Sequence, residues 1–208
     1  MLAEQGNLTE ALKSYRDSLA ITERLAKGDP SNAAWQRDLA ASEYKVGNVL
    51  VEQGNLTEAL KSYRDSLAIT ERLAKADPSN AAWQRDLAAV NERLGVIYME
   101  RKETNEAKTS LERALTIYDK LTARFPDDTL ALVNSTVPLM ALAELYGPEG
   151  AAYLRKALAI LKQLDETGRL EPNRKPAITW IEAELAKLLE AQVPRNSKFG
   201  PRTRTKRE

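Results

Sequence analysis

Apolar residues recur at helical spacing along most of the chain. Leu8, Ala11, Leu12, Tyr15, Leu19 and Leu25 share one face, with Lys13, Arg16, Asp17, Glu23 and Arg24 away from it, which predicts an amphipathic helix. Asn7 followed three residues later by Glu10 predicts its start in the manner of a capping box, and Gly28 suits its C-terminal stop. The cluster Asp29-Pro30-Ser31-Asn32 then supplies capping residues for a second helix. That helix places Trp35, Leu39, Val46 and Leu50 on one face and ends at Gly54.

The same writing appears twice. Glu4 to Ala41 and Glu52 to Ala89 agree at every position except Gly28 against Ala76, an offset of 48 residues. Duplication of one structural unit explains this, and the period falls among repeat architectures. Asn55 and Glu58 repeat the helix start, and Trp83, Leu87, Val90, Leu94 and Tyr98 repeat the second apolar face. At the same offset, Glu106-Ala107, Leu115, Ile117, Leu121 and Pro126 answer Glu58-Ala59, Leu67, Ile69, Leu73 and Pro78. The third copy keeps the core pattern and changes the surface.

The spacing within the unit resembles the tetratricopeptide repeat. Leu94, Gly95, Tyr98, Ala107, Leu111 and Ala114 fit that family's pattern of small and large residues without a gap, as do Val46, Gly47, Leu50, Ala59, Tyr63 and Ser66. The family repeat is about 34 residues, so the longer period here implies a variant with roughly two extra turns in each helix. The resemblance implies an all-α fold, a right-handed α-solenoid of antiparallel helix pairs. Units are expected near 6–53, 54–105, 106–150 and 151–192.

Beyond Pro126 the pattern loosens. Leu142, Ala143 and Tyr146 keep the first-helix signature, and Leu154, Ala157, Leu158, Ile160, Leu161 and Leu164 form another stripe. Between them Tyr146-Gly147-Pro148-Glu149-Gly150 makes this unit about five residues tighter. Pro138 should kink or restart its helix. Pro176 opens a last helix with Trp180, Ile181, Leu185, Leu188 and Leu189, suited to cap the array and complete a domain over 1–192. Residues 193–208 lack periodicity and are expected to be a disordered basic tail. At the other end the helix at Leu8 has no first-type partner before it, so the chain reads as part of a longer array, or as self-associating through that face.

Composition narrows the chemistry. There is no cysteine and no histidine, which removes thiolate nucleophiles, disulfides, the commonest general base and the commonest metal ligands. Arg195, Lys198, Arg202, Arg204, Lys206 and Arg207 against Glu208 give the end of the chain a charge of +5, leaving −4 for the rest. The tail reads as a solubilising terminus, and nucleic acid is not an expected partner. No secretory leader or long apolar run is evident, so no membrane association and a cytoplasmic location are expected. Carboxylates such as Asp127-Asp128 or Glu182 and Glu184 read as caps and solvated faces. Trp35 and Trp83 read as plugs between repeats.

In the family the first helices of successive units line a concave surface. The resemblance therefore implies that a partner polypeptide contacts Tyr44, Lys45, Asn48, Val51 and Glu52, then Glu92, Arg93, Val96, Met99 and Glu100, then Met140 and Glu144. Some members hold a C-terminal carboxylate through a clamp of Lys, Asn and Arg. Asn48 falls where such an Asn would, with Lys45 and Arg93 near. Val96 replaces the next Asn, however, and Tyr44 and Glu92 stand where basic residues are needed, so the clamp is not inherited. The expected function is a non-enzymatic scaffold without cofactor or metal. The alternatives are a regulatory or structural segment of a larger protein and a self-associating assembly module.

Overall fold

The computed structural model describes residues 2–192, with side chains from 7 to 188. Every regular element among them is helical: α1 (Leu2–Gly28), α2 (Ala33–Glu52), α3 (Leu56–Ala76), α4 (Ala81–Glu100), α5 (Thr104–Arg124), α6 (Thr129–Tyr146), α7 (Ala151–Glu166) and α8 (Pro176–Gln192). Short 3-10 turns occupy Gly147–Gly150 and Pro172–Arg174. The expected basic tail, 193–208, lies outside the described residues. Each α-helix packs on the next in sequence, and α4 also reaches α6. Ion pairs join alternate helices: Arg16 to Glu58 at 2.9 Å, Arg113 to Glu71 at 3.5 Å and Lys156 to Asp119 at 2.7 Å along the odd-numbered helices, and Arg37 to Asp86 at 2.6 Å between α2 and α4. The helices thus form two layers, odd against even, as a helical repeat requires. Exposed pairs of this kind contribute little energy, so burial between the layers must supply the stability.

Two glycines let the layers approach. A Cβ on Gly47 would lie 2.7 Å from Tyr63 Cε1, and one on Gly95 2.5 Å from Leu111 Cγ. Tyr63 and Leu111 are both buried against these gaps, and Tyr63 belongs to a core cluster with Val46, Leu50, Leu94 and Ile97. A second cluster gathers Leu139, Leu154, Ala157, Leu161 and Ile181 from α6, α7 and α8. In α7 the sequence Leu154, Ala157, Leu161, Leu164 takes the buried places that Leu111, Ala114, Tyr118 and Leu121 take in α5, an offset of 43 rather than 48 residues. The 3-10 turn makes the shortening possible.

Helix starts follow the capping residues. Asn32 Oδ1 accepts from Ala34 and Trp35 N–H, and Asn80 Oδ1 from Ala82 and Trp83 N–H, with the same distances of 3.1 and 3.2 Å in both copies. Asp29 and Asp77 each accept from the N–H and hydroxyl of the serine two residues on, which lowers their pKa. Asn55 accepts from Glu58 N–H at 3.3 Å. Asn7, expected to cap α1 in the same way, instead lies inside it.

Three further positions bear on the expectations. Leu25 is 39 % exposed and Ile21 51 %, although their copies Leu73 and Ile69 are buried and half-buried, because among the described residues no element covers this side of α1. Trp180 is 47 % exposed, while its neighbour Ile181 carries the packing of α8. Pro138 does not restart α6, which runs through it. Proline removes an N–H from the helix ladder, and just before it the Ser135 and Thr136 hydroxyls donate to the carbonyls of Leu132 and Val133 at 2.7 and 2.6 Å. Trp35 and Trp83 are both half-buried. Thr129–Glu166 has the length and apolar character of a membrane span, but Gly147, at φ 57°, breaks it into two helices. Much of their apolar surface packs in the second cluster.

Candidate functional site

The side of α2 that faces α4 carries Arg37, Ala41, Tyr44, Asn48 and Val51, spaced three or four apart so that they share one stripe. Facing them on α4 are Asp86, Ala89, Arg93 and Val96. The two stripes bound a groove whose centre is a bridge: Arg93 Nε donates to the Tyr44 hydroxyl at 3.2 Å. Burial works against the Arg93 charge, but Tyr44 and then Glu92 more than offset it and raise its pKa.

On one side of this bridge lies a cleft of about 190 Å³ lined by Asn48, Val51, Glu52, Tyr63, Arg93 and Val96, with Ile97 beneath. The Tyr63 hydroxyl donates to Asn48 Oδ1 at 2.6 Å, and burial pushes the phenol pKa upward, so it remains a neutral donor. Its ring packs against Tyr44 with centroids 5.7 Å apart. Five of the residues expected to contact a partner, Asn48, Val51, Glu52, Arg93 and Val96, thus line one cleft, and Tyr44 borders it through Arg93.

The other expected contacts are dispersed. Lys45 is exposed, its Nζ 5.9 Å from the Tyr15 ring centroid. Met99 packs partly against the first core cluster and Met140 against the second. Glu100 and Glu144 are exposed and border neither cleft of this groove. Glu92 is 5 % exposed and accepts from the fully buried Tyr118 hydroxyl at 3.3 Å, so it belongs to the core rather than to the groove. Burial pushes its carboxyl up to about 7.

On the other side of the Tyr44–Arg93 bridge is a second cleft, of about 130 Å³, that sequence reasoning did not single out. Its walls are Ala40, Ala41, Ala89 and Val90, its floor Ser66 and Thr70, and Arg37 and Asp86 also line it. Only Tyr44 among these was an expected contact. The available signal was the third copy's departure at position 118, where Tyr stands in place of Thr70. Among the described residues no three acidic side chains come together as a metal site.

Comparison with known proteins agrees with this architecture. One tetratricopeptide repeat model matches residues 1–30 and 44–79, and another matches residues 88–120. No curated protein sequence is similar enough to count as a match. Similar solved structures include BtubC from P. vanneervenii, with 16% identity over 97% of this chain and 96% of that one and a TM-score of 0.37. The de novo designed helical repeat protein DHR64 shares 13% identity over 89% of this chain and 96% of its own, at a TM-score of 0.33. MamA (41-end) from Desulfovibrio magneticus RS-1 shares 17% over 90% and 98%, at a TM-score of 0.30. Tetratricopeptide repeats serve in general as protein-interaction scaffolds and are typically non-catalytic. The matched stretches take in the C-terminal half of α2 with α3, and the same part of α4 with most of α5, where the Gly47 and Gly95 contacts lie. This chain, all helix in its described part and built on that contact twice over, carries tetratricopeptide repeats.

Proposed function

We propose that the chain is a non-enzymatic scaffold that binds a partner polypeptide along the groove between α2 and α4. The observation that carries this reading is the cleft in which Asn48, Val51, Glu52, Arg93 and Val96 converge. With its oxygen occupied by the Tyr63 hydroxyl, Asn48 keeps its amide N–H group for a backbone carbonyl of the ligand. Arg93 has donors beyond the one given to Tyr44, and Glu52 supplies an acceptor. Val51 and Val96 offer apolar contact between them. Such a mixture suits an extended or helical segment, whose backbone needs polar partners and whose side chains need apolar ones.

Affinity capture from the native extract tests the proposal, with the full chain compared against the variant Asn48→Ala, Glu52→Ala, Arg93→Ala. The captured proteins should fall at least tenfold in yield with the variant, while its helical circular dichroism is unchanged. A partner set that survives all three substitutions would sink the assignment.

A further inference from the structure

The second cleft has an occupied counterpart one repeat further along. By the 48-residue offset, Ala40 corresponds to Ala88, Ser66 to Ala114, Thr70 to Tyr118, and Asp86 to Asn134. Tyr118 has no exposed surface and clusters with Ala88 and Ala114. Its hydroxyl contacts Glu92, the counterpart of Tyr44, and Asn134, the counterpart of Asp86. The Tyr118 phenol therefore lies among the counterparts of four residues that line the open cleft, namely Ala40, Tyr44, Ser66 and Asp86. In the earlier repeat Thr70 replaces that tyrosine, and the space remains as the cleft of about 130 Å³. The repeat interface contains a mould for a phenol ring, filled from within the chain in one place and open in the other.

The chemistry of the open site suits an aromatic side chain. Ala40, Ala41, Ala89 and Val90 supply apolar walls, and Tyr44 borders it with its own ring. The Ser66 hydroxyl donates to the Ala40 carbonyl at 2.9 Å, and the Thr70 hydroxyl to the Ser66 carbonyl at 3.1 Å. Both oxygens thus keep acceptor capacity for a phenol O–H. Cavities on the order of 150 Å³ accept benzene, so the size fits one ring. Arg37 and Asp86 form a two-point ion pair, at 2.6 and 3.3 Å, beside the cleft and can frame the backbone that follows the ring. Arg37, Ala40, Ala41 and Asp86 lie outside the stretches matched as tetratricopeptide repeats, whereas Tyr44, Ser66, Thr70, Ala89 and Val90 lie within them.

We propose that the partner polypeptide anchors itself by inserting one tyrosine or phenylalanine side chain into the cleft between α2, α3 and α4, in the place that Tyr118 takes in the next repeat. This rests on the groove between α2 and α4 being the partner site, and it names what the partner must carry.

Two variants close the cleft by different routes. Thr70→Tyr supplies the ring from within, as Tyr118 does. Ala41→Phe blocks it from an exposed position, so it keeps the test available should the first variant not fold. The probe is p-cresol, the tyrosine side chain alone, titrated into the full chain and followed by backbone amide chemical shifts. Saturable shifts confined to Ala40, Ala41, Ala89 and Val90 are expected, weakened at least tenfold in the folded variants. Capture of partners from the extract should fall by a similar factor in the same variants. Absence of p-cresol binding at those residues, or binding unchanged by both variants, would overturn the proposal. Capture that survives both variants but is lost on replacing Asn48, Glu52 and Arg93 overturns the anchor and leaves the groove reading in place. Capture indifferent to every substitution overturns both.

Discussion

Glu92 stands where the first copy has Tyr44, and the exchange puts a carboxyl into the core opposite Tyr118. Its pKa is raised by burial to about 7, despite the opposing effects of Arg93, the Tyr118 hydroxyl and Arg174. The sign of the resulting pH dependence is opposite to that of a salt-bridged carboxylate. The folded chain binds this proton more tightly than the unfolded chain, so stability is highest below the ordinary carboxyl value of 4.5 and is lost as pH rises through about 7. The shift corresponds to about 3 kcal/mol. Glu92→Gln, neutral at every pH, should match the wild type near pH 4.5 and exceed it at pH 8 in urea unfolding. A difference that stays constant between those two pH values would contradict the assignment. The family resemblance implied that Glu92 faces the groove, since it stands near Gly95 on the helix expected to line the concave surface. Only the packing of α5, which brings Tyr118 beside it, decides that Glu92 turns inward and its neighbour Arg93 outward.

At the scale of the element, the turns repeat more faithfully than the residues that make them. After α2, Gly54 N–H donates to the Val51 carbonyl and Asn55 N–H to the Leu50 carbonyl, both at 2.8 Å, with Gly54 at φ 76°. After α4 the same pair of bonds is made by Lys102 and Glu103, with Lys102 at φ 62°. After α7 they are made by Gly168 and Arg169. All three are Schellman endings, which favour glycine at the left-handed position. A side chain there costs about 1–2 kcal/mol, partly offset by the greater chain entropy that glycine surrenders on folding. Lys102→Gly should therefore stabilise the protein by up to about 1 kcal/mol, read as a higher urea midpoint. A midpoint equal to or below that of the wild type would show that the Lys102 side chain makes up the loss elsewhere. The helix ends themselves were legible, because Gly54 and the Asp-Pro-Ser-Asn clusters mark them directly. Neither Lys102 in the left-handed region nor the continuity of α6 through Pro138 carries a comparable local mark.

For the whole molecule, the doubled block makes the architecture legible in the sequence alone. Period, helix pairing and the small residues at the close contacts all follow from it, and the five-residue contraction ahead of α7 follows from Gly147 and its neighbours. The open cleft was not legible in the same way. Its walls come from three helices, and its emptiness appears only when Thr70 is compared in space with Tyr118. The reach of a repeat's neighbours is equally hidden from its letters. Leu8 to Lys27 in α1 and Leu56 to Lys75 in α3 are the same twenty residues, yet Leu25 is 39 % exposed where Leu73 is 6 %. The molecule thereby contains its own control experiment. Amide hydrogen exchange compared position by position along these two helices has the same intrinsic chemistry in each pair, so that any difference in protection measures the coupling of a helix to what surrounds it. Matched amides should exchange at least tenfold more slowly in α3 than in α1, with equal rates implying that each repeat is held by its own pair alone. Two identical segments in one chain separate what a sequence contributes by itself from what its neighbours lend it.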